Sequence, residues 1–244
     1  MVLIITGTIA PSSQVGQLEL KNVEERWKQY YDSIFFYISQ GCFKKIIFCE
    51  NSNYGLKGLK PLLELAEEKH IQLELSSFQG DTERVVAQGK GYGEAEIMSY
   101  IFANSNLIKD ETMFAKVTGR LIVTNVMQIL SKIKEGNCYF NVPNHTTRHM
   151  YDTRFYMMPI ELFKQYFLDA KEQIMDDEGI FLETVYTNRI LQKDINTKNF
   201  PLYPRIIGQS GSSGESYSFI EWKSKIKDML SKLNFYGRIK PSKG

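Results

Sequence analysis

Short apolar runs alternate with amphipathic segments along residues 1–142, and this alternation constrains the fold more than any other feature of the sequence. Runs typical of buried strands lie at residues 2–6, 45–49, 71–78, 113–117 and 138–142. Apolar residues at helical spacing mark segments 22–40, 59–69, 95–104 and 126–133. Strands that alternate with helices predict βαβ crossovers, so we expect an α/β fold in which helices flank a mostly parallel sheet.

The alternation weakens after residue 142. Residues 150–158 have a mixed extended pattern, residues 160–171 and 179–191 have helical patterns, and residues 200–207 carry two prolines typical of an edge strand or extended arm. A glycine- and serine-rich loop at 208–214 precedes a final amphipathic helix. We therefore expect a ligand-binding half at 1–142, a second half of the same domain at 143–207, and a loop with a tail helix at 208–244.

Composition narrows the functional classes. The 244 residues suffice for one globular domain, and 30 Lys and Arg against 28 Asp and Glu leave a net charge of +2, too balanced for a protein that coats nucleic acid. The three cysteines form neither a disulfide framework nor a zinc motif. The sequence also shows no signal-peptide pattern and no apolar stretch of the roughly 20 residues that span a bilayer. We expect a cytoplasmic protein.

Four segments follow the carboxyl ends of the predicted strands, where parallel sheets bind their ligands: 6–10, 50–53, 78–93 and 118–120. The third contains glycines at 89, 91 and 93 just before a helix, so its backbone amides predict an anion site. The spacing fits neither the dinucleotide fingerprint nor a P-loop, and an ordinary strand-to-helix turn is the alternative. Lys116 and Arg120 place two cations where a phosphate would sit, unless they form a solvated surface turn.

Carboxylates in the second half are candidates for chemistry. Asp152 and Glu183 stand among apolar residues, which favours carboxylates near a cleft that act as a general base or bind sugar hydroxyls. Asp176 and Glu178 instead fit a solvated helix N-terminus. His145 and His149 lie in a predicted loop without a suitably spaced third ligand, and we expect no zinc site there.

The tail carries seven basic and two acidic residues between positions 216 and 244. Two arrangements of its helix fit the pattern. Trp222, Ile226 and Leu230 pack on the domain while the lysines face water, which is the commoner outcome, or the helix lies on an anionic membrane surface.

Taken in order, the motifs resemble those of bacterial GT-A-like glycosyltransferases encoded among capsule, O-antigen and exopolysaccharide genes. The motifs that carry the resemblance span nearly the whole chain: TGT at 6–8, ERWKQYYDSI at 25–34, FCENSN at 48–53, GKGYGE at 89–94, KVTGR at 116–120, DTRF at 152–155 and GQSGSSG at 208–214. The resemblance implies a GT-A-like, Rossmann-related fold. It also implies a nucleotide-sugar donor on the first half and an acceptor on the second. Together with the basic tail, it leads us to expect a saccharide or lipid-linked saccharide acceptor at the inner membrane face.

The resemblance also implies roles for individual residues. Those at the ends of the first two strands would hold the base and ribose: Thr6, Gly7, Thr8, Glu50, Asn51 and Ser52. Those beside the nucleotide would be Gly89, Lys90, Gly91 and Glu94. Those that hold or cover the diphosphate would be Lys116, Thr118, Gly119, Arg120, Ser210, Gly211 and Ser212. The catalytic set would be Glu183 or Asp177 as general base, with Asp152 and Arg154 beside them.

The sequence departs from the family in one respect, since it contains no Asp-x-Asp motif, and Lys116 and Arg120 stand at the expected place. Either these cations replace Mg²⁺ or Mn²⁺ in neutralising the diphosphate, or a metal uses Asp152 or Asp177. We favour metal-independent action. Two other functions remain open: a sugar nucleotidyltransferase, although the glycine-rich loop of that class is missing after the first strand, and a non-catalytic partner of a polysaccharide synthase.

Overall fold

The computed structural model describes residues 1–14, 22–141, 150–209, 216–217 and 221–232. Its strands are β1 (Val2–Gly7), β2 (Lys45–Glu50), β3 (Gln72–Ser77), β4 (Met113–Thr118), β5 (Ile122–Val123), β6 (Cys138–Phe140), β7 (Phe155–Pro159), β8 (Thr197–Asn199), β9 (Ile206–Gln209) and β10 (Ser216–Tyr217). Seven of them form one sheet in the order β3-β2-β1-β4-β7-β6-β8, and β10-β9-β5 form a small second sheet. In the large sheet β7 runs against the other six strands. The prediction of an α/β fold with a mostly parallel sheet is confirmed.

The helices are α1 (Val23–Gln40), α2 (Lys60–Glu68), α3 (Thr82–Gln88), α4 (Lys90–Asn104), α5 (Val126–Leu130), α6 (Ile160–Tyr166), α7 (Leu182–Gln192) and α8 (Glu221–Lys232). Short 3₁₀ turns lie at Leu56–Leu59, Ala170–Gln173 and Asp176–Glu178. The first helix shows why these elements begin and end where they do. The Asn22 side chain accepts a hydrogen bond from the backbone N–H of Glu25, and Gly41 ends the helix at a φ of 64°.

The sheet is buried on both faces, as the apolar strands predict. Along β1, Leu3 and Ile5 pack with α1 and α2 on one side, while Val2 and Ile4 pack with α4 on the other. All four side chains are fully buried.

The region between β3 and β4 differs from the prediction. Helix α4 begins at Lys90 and not at residue 95, so the glycine-rich segment forms its first turns. A Cβ at Gly91 would come within 3.2 Å of Ile174, and this close packing explains why glycines occur in a helix. Helix α3 was not predicted, because it contains no buried residue and therefore shows little apolar periodicity.

Smaller differences concern element length. The helices predicted at 126–133, 160–171 and 179–191 are α5, α6 with the turn at Ala170–Gln173, and α7. The extended arm predicted at 200–207 contributes β9, which pairs with β5 in the small sheet.

The sheet is continuous across the division that we expect at residue 142, because β7, β6 and β8 extend the same sheet beyond β4. Its strand order reverses beside β1. The chain passes from β1 to β2 and β3 on one side and then returns to β4 on the other, which creates a crevice at the carboxyl ends of β1 and β4.

Helix α8 contacts the domain through polar side chains. Of the residues expected in a packed apolar face, Leu230 is partly buried and Ile226 is exposed. Asp228 accepts a hydrogen bond from the backbone N–H of Tyr203 at 3.2 Å and pairs with Arg205 at 2.6 Å. The Ser231 hydroxyl donates to the Phe200 carbonyl at 2.8 Å. Ile226, expected in the packed face, is 45% exposed.

Several predictions lie outside the described part of the chain, namely those for Ser210, Gly211, Ser212, His145, His149 and the side chain of Trp222. Among the described helices, none combines the length and the apolar character needed to cross a bilayer.

Candidate functional site

A cavity of about 550 Å³ lies in the crevice at the carboxyl ends of β1 and β4. All four segments that the sequence places at strand ends contribute to its wall. The lining residues from these segments include Thr6, Gly7, Thr8, Ala10, Asn51, Ser52, Gly80, Lys90, Gly91, Gly93, Thr118 and Arg120. The volume lies within the range of small-molecule sites, so this cavity is the candidate functional site.

The floor of the cavity depends on a close approach between β1 and the turn after β4. The backbone N–H of Gly119 donates to the Thr6 carbonyl at 2.8 Å, and a Cβ at position 119 would overlap that oxygen. The carbonyl of Gly7 accepts from the backbone N–H of Asn51 at 3.2 Å. Gly119 is therefore a structural requirement of the site.

Two of the four described basic side chains that line the cavity, Arg26 and Arg120, interact with each other, and we call this part of the wall the arginine end. Arg26 and Arg120 both line it and are 4% and 8% exposed. Arg26 Nε donates to the Thr8 carbonyl at 2.9 Å, and Arg120 Nη1 donates to Gln29 Oε1 at 2.9 Å. Burial lowers the pKa of Arg120, and the charge of Arg26 lowers it further, against the effect of Tyr30. An anionic ligand would relieve the repulsion between these two cations.

The loops after β1 and β2 are joined by polar side chains at the cavity wall. Thr8 Oγ1 donates to Asn51 Oδ1 at 2.6 Å, and the backbone N–H of Ala10 donates to Ser52 Oγ at 2.9 Å. Asn51 Nδ2 also donates to Glu96 at 3.3 Å. These contacts fix the positions of Thr8, Asn51 and Ser52, which were predicted to hold the base and ribose.

Glu50 does not contact the cavity, contrary to its expected role. It is fully buried, and its carboxylate accepts hydrogen bonds at 2.8 Å from the backbone N–H groups of Ser52 and Tyr54. The hydroxyls of Ser52 and Ser77 also donate to it. From its buried position, Glu50 therefore holds the backbone of the loop after β2 in place.

The anion site predicted at the glycine-rich segment is occupied by a carboxylate of the chain itself. The backbone N–H of Gly91, in the first turn of α4, donates to Asp176 Oδ2 at 3.4 Å. A Cβ at Gly89 would overlap the same carboxylate. Burial raises the pKa of Asp176, against the backbone N–H of Gly91 and the charge of Lys90. Lys90 and Gly91 line the cavity, whereas Gly89 does not.

Lys116 lies inside the protein and not at the rim, which corrects the expectation that it faces a phosphate. Its side chain is fully buried and its ammonium pairs with Glu94. The same ammonium donates to Thr118 Oγ1 and to the Thr153 carbonyl, both at 2.9 Å. Glu94, Thr118 and Thr153 line the cavity, so Lys116 supports three wall residues.

The second half of the chain contributes a carboxylate to the wall. Glu183 lines the cavity and accepts a hydrogen bond from Thr153 Oγ1 at 2.6 Å. Burial raises the pKa of Glu183, and Glu94 and Asp152 raise it further, against the Thr153 hydrogen bond. A carboxyl with a raised pKa in a cleft has the properties of a general base.

The other three residues predicted to be catalytic have different placements. Asp152 binds Arg154 through two side-chain hydrogen bonds of 2.9 and 2.7 Å, and Arg154 lines the cavity. Asp177 is exposed and lies outside the wall, whereas its neighbour Asp176 lies within it. The expectation that Asp176 is a solvated helix-start residue is wrong.

The residues suggested as metal ligands do not fit that role. Both oxygens of Asp152 are bound by Arg154, and Asp177 lies outside the cavity. Within the described ranges, no three Asp, Glu, His or Cys side chains cluster in a way that would hold a metal ion.

Sequence reasoning missed Arg26 and Tyr30. They stand four residues apart on α1, hence on one helix face, and the Tyr30 hydroxyl accepts from the backbone N–H of Thr8 at 2.9 Å. Their motif contributed to the resemblance, but only the fold shows that this face of α1 meets the cavity.

Comparisons with known proteins show distant likeness only. No protein-family model matches the chain, and no curated protein sequence matches it. The nucleoside-diphosphate-sugar pyrophosphorylase from Vibrio cholerae RC9 aligns with 85% of this chain and 95% of its own length, at 13% identity and a TM-score of 0.48. HddC from Yersinia pseudotuberculosis aligns with 68% of this chain and 79% of its own length, at 8% identity and a TM-score of 0.34. Neither likeness assigns a role to any residue of this chain.

Proposed function

We propose that this chain binds a nucleotide sugar in the cavity at the ends of β1 and β4 and transfers the sugar to a saccharide acceptor. The observation that carries the proposal is the buried pair Arg26 and Arg120 in the same cavity as Glu183, a carboxyl with a raised pKa. Sugar transfer with inversion of configuration uses both features, because the diphosphate leaves as an anion while the acceptor hydroxyl loses a proton to a base.

The arginine end would hold the diphosphate. A guanidinium forms two parallel hydrogen bonds to phosphate oxygens, and its charge acts strongly where water is excluded. Arg26 and Arg120 are already held by Thr8 and Gln29, so they lose little freedom when a ligand binds. Thr8, Asn51 and Ser52 would then face the ribose and base, since they line the adjacent wall.

Glu183 would accept the proton of the acceptor hydroxyl if the configuration at the sugar is inverted. Its raised pKa makes it a better proton acceptor than an exposed carboxylate. Thr153 orients one carboxylate oxygen, and Lys116 in turn holds the Thr153 backbone. Residues of the second half would thus serve the acceptor, and residues of the first half the donor. A lipid-linked saccharide is the acceptor that we expect.

A second candidate is nucleotidyl transfer to a sugar phosphate, favoured by the loop after β1. Ala10, Pro11 and Ser12 of this loop line the cavity, and Arg26 binds the carbonyl of Thr8 at its start. Nucleotidyltransferases usually have a basic residue at the end of this loop, and here Arg26 contacts the loop from α1. The V. cholerae protein is by its name a nucleoside-diphosphate-sugar pyrophosphorylase, but the loop and Arg26, not that likeness, carry this candidate.

One experiment separates the two reactions. The purified chain is incubated with UDP-, GDP-, CMP- or TDP-sugars plus a saccharide acceptor, and in parallel with nucleoside triphosphates plus sugar 1-phosphates. Release of the nucleotide from a nucleotide sugar, lost in Glu183→Gln, supports sugar transfer. Release of pyrophosphate supports the second candidate. Nucleotide binding without either product contradicts both and indicates a non-catalytic partner.

A further inference from the structure

Helix α8 is attached to the domain by its polar side. Asp228 contacts Tyr203 and Arg205, the Lys227 ammonium lies 4.3 Å from the centre of the Tyr203 ring, and Ser231 donates to Phe200. Residues 227, 228 and 231 lie on one face of a helix with 3.6 residues per turn. An amphipathic helix on a globular protein normally buries its apolar face, so this orientation is reversed.

The opposite side of α8 presents apolar residues outward. Ile226 is 45% exposed and Met229 is 54% exposed. In the sequence, Trp222 and Leu233 continue the same three- and four-residue spacing. A helix that turns two large apolar side chains, Ile226 and Met229, away from its own domain has a surface suited to another apolar phase.

The sequence that contains α8 is strongly basic. Residues 216–244 contain seven basic residues and two acidic ones, and one of the acidic residues, Asp228, is paired with Arg205. Lys223, Lys225 and Lys232 occupy helix positions between the apolar stripe and the docked face, as counted at 3.6 residues per turn. An outward apolar stripe bordered by lysines is complementary to an anionic lipid surface, where the apolar residues enter the acyl boundary and the lysines meet headgroups.

We propose that α8 is a docking surface for an anionic lipid bilayer, with Ile226 and Met229 as its inserted residues. The helix stays attached to the domain through Asp228 and Ser231 while its outer side meets the membrane. Residues Phe200, Tyr203 and Arg205, which hold α8, lead directly into β9, whose Gln209 lines the cavity. This inference does not depend on the reaction proposed above.

Vesicle flotation tests the proposal with the full chain. Vesicles of phosphatidylcholine with phosphatidylglycerol are compared with vesicles of phosphatidylcholine alone, at low and high salt. We expect at least tenfold stronger partition onto the anionic vesicles, and a marked loss at high salt because charge contributes. The variant Ile226→Glu with Met229→Glu should lose at least tenfold in partition, since it places two anions in the inserted stripe.

A matched control is Met127→Glu on α5, because Met127 is 51% exposed and does not belong to the tail. It should bind anionic vesicles like the unmodified chain. The proposal is overturned if neutral and anionic vesicles bind equally, if neither binds, or if the two variants behave alike. It is also overturned if the unmodified chain self-associates through this stripe in sedimentation velocity, which would make it a protein interface. Cooperative thermal unfolding of the α8 variant near the temperature of the unmodified chain, followed by circular dichroism, shows that its fold is intact.

Discussion

Arg26 and Arg120 bring two buried positive charges together, which raises the free energy of the site without a ligand. An anion bound between them lowers that free energy. We expect Arg120→Gln to weaken nucleoside diphosphate binding about 10- to 100-fold, because a hydrogen bond to a charged group contributes about 1.5–3 kcal/mol. Binding of the nucleoside without phosphate should change little. Titration calorimetry measures both affinities.

The matched control for this change is Arg84→Gln. Arg84 pairs with Glu172 at 2.8 Å, is about half exposed, and does not line the cavity. Its loss should leave nucleotide affinity within about twofold, as surface ion pairs contribute little. Equal losses in the two variants would mean that general surface charge, and not the arginine end of the cavity, attracts the ligand.

Glu183 gives a pH dependence whose sign follows from its environment. Because burial raises its pKa, the carboxylate needed as a base forms only as pH rises through a value above that of an ordinary glutamate. The rate should therefore rise with pH through this displaced value, and Glu183→Gln should remove at least a hundredfold of the rate. The exposed Glu178→Gln variant should keep the rate and its profile. A profile centred at an ordinary glutamate pKa would contradict the assignment.

The raised pKa of Glu183 also predicts that the fold becomes less stable as pH rises, whereas the rate increases. A carboxyl whose pKa is raised in the folded state stabilises the fold least at high pH, because ionisation costs free energy only in the folded state. We expect Glu183→Gln to be at least as stable as the unmodified chain at pH 8, with the difference shrinking as pH falls below the pKa of an ordinary glutamate. Urea unfolding at several pH values checks this. Lower stability of the variant at pH 8 would indicate a structural role for the charge.

At the level of single residues, the sequence predicted where the cavity lies better than it predicted the contacts within it. Thr6, Thr8, Asn51 and Arg120 follow strand ends, and the parallel sheet brings them together as expected. The sequence did not show that Glu50, Lys116 and Asp152 form hydrogen bonds and ion pairs with other residues of the chain. These contacts depend on Ser77, Thr153 and Arg154, and only the folded chain shows which groups meet.

Among the elements, the N-terminus of α4 differs most from its sequence-based prediction. Glycines before a helix predict an anion site, and an anion is present, but it is the Asp176 carboxylate of the same chain. Position 176 lies 85 residues from Gly91, and no local pattern relates the two. Periodicity alone located α1, α2 and most of the strands because their apolar faces are buried locally against the sheet.

A glycine substitution tests this arrangement. Gly89 has a φ of 96°, and a Cβ there would overlap Asp176, whereas Gly136 has a φ of 80° with open space around it. We expect Gly136→Ala to cost about 1 kcal/mol of unfolding free energy through backbone strain alone, and Gly89→Ala to cost about 3 kcal/mol. Urea unfolding measures both. Equal costs would show that Asp176 does not pack against the start of α4.

At the scale of the whole molecule, both halves of the chain belong to one sheet. Strand β6 pairs only with β7 and β8 in the described structure, and both of these follow residue 142. We expect a fragment of residues 1–142 to lack cooperative thermal unfolding by circular dichroism, because β4 loses a neighbour and β6 loses both. A cooperative transition near that of the full chain would show that the first half is an independent domain.

The cavity also draws on the whole molecule, since Arg26 and Arg120 come from the first half and Arg154 and Glu183 from the second. The α/β class was predictable because it follows from the alternation of buried strands and helices. The reversed orientation of α8 was not predictable, because its apolar spacing fits burial against the domain and exposure to another phase equally well.

The most direct test of the account is thermal unfolding of the full chain with UDP, GDP, CMP and TDP, each with and without Mn²⁺. A ligand at 100 times its Kd stabilises a fold by about 2.7 kcal/mol, which corresponds to roughly 5–10 °C for a chain of this size. We predict such a shift for one nucleotide, present without Mn²⁺ and absent in the Arg26→Gln, Arg120→Gln double variant. No shift with any nucleotide in a folded sample, or a shift that persists in the double variant, would contradict a nucleotide site at the arginine end of the cavity.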